Sequence, residues 1–302
     1  MRSLDSLIAA IRTALPAMPL LEREPLSAHC SFRIGGPCAA LAQPSTLEEI
    51  LTLTTLLRQA GERPLLIGNG TNLLIADDYV NRIVLQTGAA FHAIQCSGTT
   101  LTALSGASLA RVALTAANAG LAGLEFAHGI PGTVGGAVSM NAGAYGGEIK
   151  NVLSSVTWLD ENLERHESAD AELSYRHSRF SDTSDLILSA SFALQPGDTE
   201  AILSAIRALA ERRRASQPLD LPSAGSTFKR PVGGYAAALI DQAGLKGFTV
   251  GGAQVSEKHA GFVVNRGGAT FEDVLCLMDA VRERVLQSSG IELEPEVKII
   301  RG

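Results

Sequence analysis

The spacing of hydrophobic residues predicts short strands through the middle of the chain and helices that alternate with strands near its C-terminus. Apolar residues at positions 4, 7, 8, 11 and 15 follow the period of an amphipathic helix. Similar patterns predict helices at 45–60, 109–119, 199–213, 235–243 and 270–290. Short apolar runs predict strands at 64–67, 73–75, 82–86, 90–96, 100–105, 152–159, 163–167, 186–194, 261–265 and 292–300. Because the chain changes near Gln195-Pro196-Gly197 from mostly strands to alternating helices and strands, we expect a domain boundary there.

Turn and cap residues fix several of these boundaries. Ser45 with Glu48, and Thr270 with Asp273, have the spacing of a capping box at a helix start. Gly120, Gly244 and Gly290 stand where helices commonly end. The run 160–162, Asp-Glu-Asn, predicts a hairpin between two strands.

The segment Glu125–Glu148 is the most unusual in composition. It holds seven glycines between His128 and Gly147, and no formal charge lies between His128 and Glu148. Ordering so much glycine costs more conformational entropy than ordering other residues, so a ligand or tight packing must compensate. Its apolar neighbours are unlike a solvated tether. We therefore expect a buried loop whose amides line a cavity for a large, flat, partly anionic ligand, or else a glycine-rich crossover in a packed core.

A second glycine-containing loop, Gly68–Asn72, follows a predicted strand. Its residues Gly-Asn-Gly-Thr-Asn could bind phosphate on successive backbone amides, and an ordinary β-turn between strands is the alternative. The sixth position of a dinucleotide-binding fingerprint is Leu73 rather than glycine. The sequence also lacks a Gly-Lys-Ser/Thr phosphate loop, a His-Glu-x-x-His zinc motif and a Gly-x-Ser-x-Gly nucleophile elbow.

Composition narrows the class of protein further. Hydrophobic residues make up 46% of the chain and charged residues 19%, and the net charge of −6 disfavours a nucleic-acid partner. The basic run 212–214 is typical of the last turn of a helix. The four cysteines form no Cys-x-x-Cys pair, which predicts free thiols in a reducing, cytoplasmic compartment. The uncharged stretch 83–110 is too broken by polar residues to predict a membrane span.

Eight motifs in one order resemble the family of UDP-N-acetylenolpyruvoylglucosamine reductases. They are SFRIGGP (31–37), IGNGTNLLI (67–75), GIPGTVGGAVSMNAGAYGGE (129–148), LSYRHSRF (173–180), GSTFKRP (225–231), LIDQAGLKG (239–247), HAGFVVN (259–265) and LEPEV (293–297). Each is weak by itself, but the collinear set is specific. The short path from Arg176 to Ser226 resembles the compact subclass of the family, which lacks a substrate-covering insertion.

The resemblance implies an α+β fold: a two-lobed FAD-binding domain of the vanillyl-alcohol-oxidase type and a C-terminal α/β substrate-binding lobe. The implied lobes are 1–63 with the tail 291–302, then 64–197, then 198–290. FAD is expected to be non-covalent, with NADPH as co-substrate and no metal. The residues implied to hold FAD are Ile67, Gly68, Asn69, Gly70, Thr71, Asn72, Pro131, Gly132, Thr133, Gly135, Gly136, Ala142 and Gly143.

The family's reaction, reduction of the enolpyruvyl sugar nucleotide to UDP-N-acetylmuramate for peptidoglycan, implies three catalytic residues. Arg176 and a protonated Glu296 would stabilise charge on the substrate carboxylate, and Ser226 would donate a proton. From the residues alone, Arg176 could instead pair with Asp170 or Glu172 at the surface, and 223–226 has ordinary turn composition.

Substrate contacts are implied at Arg230, Tyr235, Gln242 and Lys246. Asn265 could line the pocket or have a structural role in the core, and Ser216 stands where some relatives carry lysine. We expect a cytoplasmic monomer without membrane insertion. Two other functions remain open: another flavin oxidase or dehydrogenase, and a flavin- or nucleotide-binding regulator without turnover.

Overall fold

A computed structural model of the protein describes residues 4–88 and 90–302. The chain divides into two compact units. The first contains the described residues up to Arg23, Ala39–Asn69 and Arg82–Glu211, and the second contains Glu24–Cys38, Gly70–Asn81 and Arg212–Gly302. The division into lobes 1–63, 64–197 and 198–290 stays a prediction, and its first three residues lie outside the described part. Within the described residues no helix is both long and apolar enough to cross a membrane.

The described ranges contain seven α-helices. They are α1 (Leu4–Ala14), α2 (Leu47–Ala60), α3 (Leu109–Asn118), α4 (Val134–Ser139), α5 (Thr199–Ser216), α6 (Ala236–Gln242) and α7 (Phe271–Ser289). Short 3₁₀ helices cover Leu26–His29, Glu125–Ala127 and Ile149–Asn151.

The same ranges contain nineteen strands, many of them very short. They are β1 (Leu20–Glu22), β2 (Cys38–Ala42), β3 (Leu65–Ile67), β4 (Leu73–Ile75), β5 (Val80–Gln86), β6 (Ile94–Ser97), β7 (Thr100–Leu104), β8 (Leu121–Ala122), β9 (Gly143–Ala144), β10 (Gly147–Glu148), β11 (Leu153–Leu159), β12 (Arg165–Ser168), β13 (Leu186–Ala193), β14 (Gln195–Pro196), β15 (Ser223–Ser226), β16 (Thr249–Val250), β17 (Ala253–Val255), β18 (Phe262–Asn265) and β19 (Lys298–Ile300).

The first unit is built on two sheets. One has the strand order β12-β11-β13-β7-β6 and is antiparallel throughout. The other has the order β1-β2-β5-β3, with β3 parallel to β5. A core that includes Phe192, Val156 and Val112 lies between the first sheet and helices α3 and α4. These helices are thereby held in place, and the glycine-rich segment containing α4 is ordered by packing.

The second unit contains the antiparallel sheet β15-β18-β17-β16 and the parallel pair of β19 with β4. Buried residues of α7, among them Val274, Leu277 and Val281, form its apolar face. Asn265 is buried at the end of β18: its amide donates to the Phe32 carbonyl, and its side-chain oxygen accepts the Gly267 and Ala269 amides. The structural alternative for Asn265 therefore fits these contacts.

Local sequence signals located most helix ends. Thr270 and Asp273 form the predicted capping box, and α7 ends at Gly290 with φ of 72°. The hairpin at 160–162 is confirmed by the antiparallel pairing of β11 with β12. Arg213 and Arg214 of the basic run lie in the last turn of α5, as predicted.

Two predictions of secondary structure were wrong. The strand 292–300 is reduced to β19, because Pro295 lacks an amide hydrogen and makes an isolated bridge to Phe228. The segment expected to be a loop contains α4, which Thr133 caps by accepting the Gly136 amide. Glycine disfavours helix interiors, so the hydrophobic pattern alone did not predict this short helix.

The capping box predicted at Ser45 and Glu48 is wrong, because α2 begins one residue later than that spacing requires. Thr46 is the N-cap of α2, and its hydroxyl accepts the Glu49 amide at 3.1 Å. Glu49, not Glu48, reaches back: its carboxylate accepts the amide and the hydroxyl of Ser45.

This geometry gives the two neighbouring hydroxyl residues, Ser45 and Thr46, different roles at the start of α2. We expect Thr46→Ala to lower the free energy of unfolding by about 1 kcal/mol, because the Glu49 amide loses its cap. Ser45→Ala, the control, removes an exposed side-chain bond and should have a smaller effect. Urea denaturation of the two variants measures the difference, and an equal or larger loss for Ser45→Ala contradicts the assignment.

Candidate active site

The two glycine-containing loops meet inside the first unit. An added Cβ on Gly68 would lie 2.3 Å from the hydroxyl oxygen of Thr133, which is less than any real contact. Thr133 is itself buried and caps α4. The loop after β3 is therefore in direct van der Waals contact with the start of α4, and only a residue without a side chain fits.

A third segment, 105–108, holds the loop that precedes α4. The Gly132 carbonyl accepts the Leu109 amide at 3.0 Å, and the amides of Val134 and Gly135 donate to Ala107 and Ser105 at 2.9 and 2.8 Å. Ser108 and Thr133 form an isolated antiparallel bridge. The backbone around Thr133 is thus fixed by main-chain hydrogen bonds within the protein.

The residues in these loops fit a dinucleotide diphosphate. The amides of Val134, Gly135 and Gly136 are bonded within the protein, and the other backbone amides and the small hydroxyl residues of the loops are the donor types of a neutral anion-binding nest. The Ser105 hydroxyl is buried beside Gly135 and has no hydrogen-bond partner among the described residues. Sequence reasoning missed Ser105. Leaving a buried hydroxyl unpaired costs about 1–3 kcal/mol, which a ligand acceptor would recover.

The loop from Ile67 to Asn72 is not a hairpin turn. Strand β3 pairs with β5, whereas β4 pairs with β19, so the two strands it joins belong to different sheets. Gly70 has φ of 60°, and an added Cβ would lie 2.2 Å from the His29 carbonyl oxygen in the second unit. The Gly70 carbonyl also accepts the Ser31 amide at 3.2 Å. This close packing replaces the β-turn alternative.

The second unit brings Ser226, Glu296 and Asn72 into one neighbourhood. The Glu296 amide donates to the carbonyl of Thr227, the residue after Ser226, at 2.8 Å. The Asn72 side-chain amide donates to the Glu296 carbonyl at 3.1 Å. Ser226 is exposed at the end of β15, and Glu296 is partly buried. The two segments that carry the carboxyl of Glu296 and the hydroxyl of Ser226 are therefore held beside each other by main-chain contacts.

Arg176 lies in the first unit, in a tight turn between Ser174 and His177. Its φ of 54° is unusual for a residue with a side chain. Its guanidinium donates to the Gly143 carbonyl at 3.3 Å and adds to the positive charge near Glu148. Backbone strain of this kind is concentrated at functional sites.

The implied substrate residues lie in the second unit, where two of them, Arg230 and Tyr235, contact each other. The Arg230 guanidinium lies over the Tyr235 ring, 3.8 Å from its centroid, and both side chains are exposed. Lys246 pairs with Asp241 at 2.7 Å, and Gln242 is exposed at the end of α6.

One group of side chains in the described ranges has the spacing of metal ligands. Atoms of Asp160, Glu164 and His166 lie within 4.8 Å of one another at the β11–β12 turn. Asp160 accepts the amides of Asn162 and Glu164 and bonds to His166 at 3.0 Å. These bonds account for the cluster as a turn motif, and the absence of a metal stays an expectation.

Comparison with known proteins defines the class. Residues 38–165 match the family model described as "FAD binding domain", and residues 217–300 match "UDP-N-acetylenolpyruvoylglucosamine reductase, C-terminal domain". The fold is thus an FAD-binding domain joined to the C-terminal domain of this reductase family. This confirms the predicted α+β class.

Individual relatives define the family. The UDP-N-acetylenolpyruvoylglucosamine reductases of Caldanaerobacter subterraneus subsp. tengcongensis and Agathobacter rectalis are 44% and 45% identical to this chain, with 98% of each chain covered. The crystal structure of the Thermus caldophilus enzyme gives a TM-score of 0.81 at 34% identity, covering 94% of this chain and 99% of that one. This chain belongs to the UDP-N-acetylenolpyruvoylglucosamine reductase family, and as a member it is a flavoprotein that binds FAD.

The contact between the two loops can be tested through the cofactor. We expect Gly68→Ala to weaken FAD binding about tenfold, because the new methyl group displaces Thr133 and overpacking costs about 1–3 kcal/mol. Gly88→Ala is the matched control, since its Cβ would meet no atom closer than Gln86 Cγ at 3.8 Å. Titration of the apoprotein with FAD by flavin fluorescence gives both affinities. Unchanged affinity for Gly68→Ala would show that this contact does not shape the FAD site.

Proposed function

We propose that this protein reduces UDP-N-acetylglucosamine enolpyruvate to UDP-N-acetylmuramate in the synthesis of peptidoglycan precursors, with NADPH as electron donor. The observation that carries the proposal is the extent of the family match. It covers 98% of the chain at 44% identity and includes both the FAD-binding domain and the C-terminal domain. A protein that shared only the flavin fold would lack the second of these.

The loops around Gly68, Thr133 and Gly143 would hold the cofactor. Backbone amides and the hydroxyls of Thr71 and Thr133 offer donors to its diphosphate, and Ala142 is buried directly after α4. The chemistry supplied by bound FAD is hydride transfer, from NADPH in the first half-reaction and to the vinyl carbon of the substrate in the second. The protein must then manage the charge and the proton that remain.

Arg176 and Glu296 are proposed to act on the substrate carboxylate. When a hydride reaches the vinyl carbon, negative charge moves into the carboxylate and makes an enediolate-like species. The fixed cation of Arg176 stabilises that charge, and a protonated Glu296 donates a hydrogen bond to it. Removing one such donor typically costs about 3–4 kcal/mol of transition-state stabilisation.

Ser226 is proposed to deliver the proton to the neighbouring carbon of the substrate, C2. A serine hydroxyl is a weak acid, so it can act only on a strongly basic carbon. The main-chain bond between Glu296 and Thr227 supports this role, because it fixes the serine strand against the segment carrying the carboxyl. Hydride and proton together complete the two-electron reduction of the double bond.

Arg230 and Lys246 are proposed to bind the anionic part of the substrate, with Tyr235 and Gln242 near them. The exposed Arg230–Tyr235 pair and the exposed cation of Lys246, which is paired with Asp241, support this assignment.

We also propose that the protein is cytoplasmic and monomeric. All four cysteines are free, and burial raises the pKa of Cys38 to about 11, so that thiol stays protonated and unreactive. Free thiols are typical of a reducing compartment. Sedimentation equilibrium of the holoprotein tests the monomer, and a dimer mass would contradict it.

The first test is turnover itself and its proton step. With NADPH and the enolpyruvyl sugar nucleotide, we expect substrate-dependent loss of NADPH absorbance. In stopped-flow, Ser226→Ala should keep flavin reduction by NADPH, whereas reoxidation by the substrate falls by about 10²–10⁴-fold, as for a lost general acid. Ser223→Ala, on the same strand, is the matched control. Wild-type protein without substrate-dependent oxidation would remove the reductase assignment, and normal turnover of Ser226→Ala would remove the proton role.

A second test separates the two cationic residues. We expect Arg230→Ala to raise the KM for the sugar nucleotide about tenfold with little change in kcat, because a charge-assisted hydrogen bond contributes about 1.5–3 kcal/mol. Lys246→Ala should raise it less, since Lys246 is shared with Asp241. Steady-state kinetics at saturating NADPH measures both, and an unchanged KM for Arg230→Ala contradicts its substrate role.

A further inference from the structure

Asn141 is a fully buried residue just after α4, and all of its side-chain hydrogen-bonding groups face specific partners. Its amide nitrogen donates to the Glu148 carboxylate and to the Ser174 carbonyl, both at 2.9 Å. Its side-chain oxygen accepts the Lys150 amide at 3.0 Å. The residue has φ of 42°, a conformation that asparagine tolerates better than most residues. One side chain thus joins three segments of the first unit.

One of these segments is the turn that carries Arg176. Ser174 and His177 exchange backbone hydrogen bonds of 3.0 and 3.3 Å, with Arg176 between them at positive φ. The turn is also held from its other side, because the buried Ser178 donates its hydroxyl to the Ser139 carbonyl at 2.6 Å. The anchors of the turn therefore lie at the C-terminal end of α4 and in the residues just after it.

The second segment is the β9–β10 hairpin, where Glu148 lies opposite Gly143. Glu148 forms an ion pair with Lys150 at 2.9 Å, and the Gly143 carbonyl accepts the Arg176 guanidinium at 3.3 Å. The bond to Lys150 lowers the pKa of Glu148, with smaller contributions from Asn141 and from the charge of Arg176. Glu148 is therefore paired with Lys150 and lies within the electrostatic reach of Arg176, and Asn141 connects it to the arginine turn.

We propose that Asn141 is a positioning residue for Arg176: its two amide donors join the Glu148 hairpin to the Ser174 turn and so fix where the guanidinium lies. The inference rests on the proposed role of Arg176 toward the substrate carboxylate. The site uses both functions of an uncharged amide, two donors toward Glu148 and Ser174 and one acceptor for the Lys150 amide. A carboxylate of the same shape has no donor, and a residue without a side chain leaves the Ser174 carbonyl and the Glu148 carboxylate without this partner.

The test is Asn141→Asp, which keeps the shape of the side chain and the tolerance for positive φ but removes both donors. At neutral pH we expect FAD affinity and flavin reduction by NADPH within about twofold of wild type. Reoxidation by the enolpyruvyl substrate should fall by about 10–100-fold, the effect of a misplaced but still present group. A variant that had lost its fold would lose FAD binding as well.

The pH profile of the same variant distinguishes positioning from general damage. In this variant the introduced carboxyl lies next to Glu148, which belongs to the β9–β10 hairpin. Lys150 pairs with Glu148, and Arg176 lies on the neighbouring turn. Two adjacent carboxylates share a proton with a raised apparent pKa. As the pH falls, the protonated carboxyl regains a donor, so the ratio of variant to wild-type reoxidation rates should rise.

Asn151→Asp is the matched control. Asn151 accepts the Glu148 amide at 2.9 Å with its side-chain oxygen, so an aspartate there keeps the bond while adding the same charge nearby. We expect near wild-type rates for it and no recovery on acidification. The inference is overturned if Asn141→Asp reoxidises at the wild-type rate at neutral pH, if it loses FAD, or if its relative rate does not rise on acidification. Wild-type protein that fails to turn over contradicts the proposed function instead.

Discussion

The close approach of Gly68 to Thr133 is the contact on which the rest of the first unit's candidate site depends. It joins the end of β3 to the start of α4, and it leaves no room for a Cβ. Because Thr133 also caps α4 and bridges to Ser108, a displacement there would move the helix and the hydrogen bonds to 105–107 together. The main-chain groups that we propose to bind the cofactor diphosphate therefore have positions set by packing.

Sequence patterns were most successful where the deciding contacts are local. Thr270, Asp273 and Gly290 define α7 through bonds within a few residues, so spacing alone located both ends. The shift from Ser45 to Thr46 is the limit of that method, since two adjacent hydroxyl residues satisfy the same pattern. Helix α4 was missed because its glycines have low helix propensity, and a cap together with core packing stabilises it instead.

The residues of the candidate site differ in how far the sequence predicted their roles. Composition alone left two interpretations open for the loop 68–72 and for the segment 125–148, a backbone-lined ligand site or ordinary turn and core structure, and it favoured neither the arginine nor the serine as catalytic. Their roles came from resemblance to a family. Asn141 was not found by either route, because its partners Glu148 and Ser174 are 7 and 33 residues away and a positive φ is not written in the sequence. A polar side chain within an uncharged apolar stretch was the one available signal.

The proposed catalytic residues are held in place by two different means, and this difference has consequences for substitution. Glu296 and the strand of Ser226 are joined through main-chain hydrogen bonds, which survive most changes of neighbouring side chains. The Arg176 turn depends on the amide of one buried asparagine and on the hydroxyl of Ser178. The position of the cation is therefore more sensitive to single substitutions than that of the acid and the serine. A side-chain network of this kind suits a group that must meet charge on the substrate at a defined distance, because each of its bonds also constrains direction.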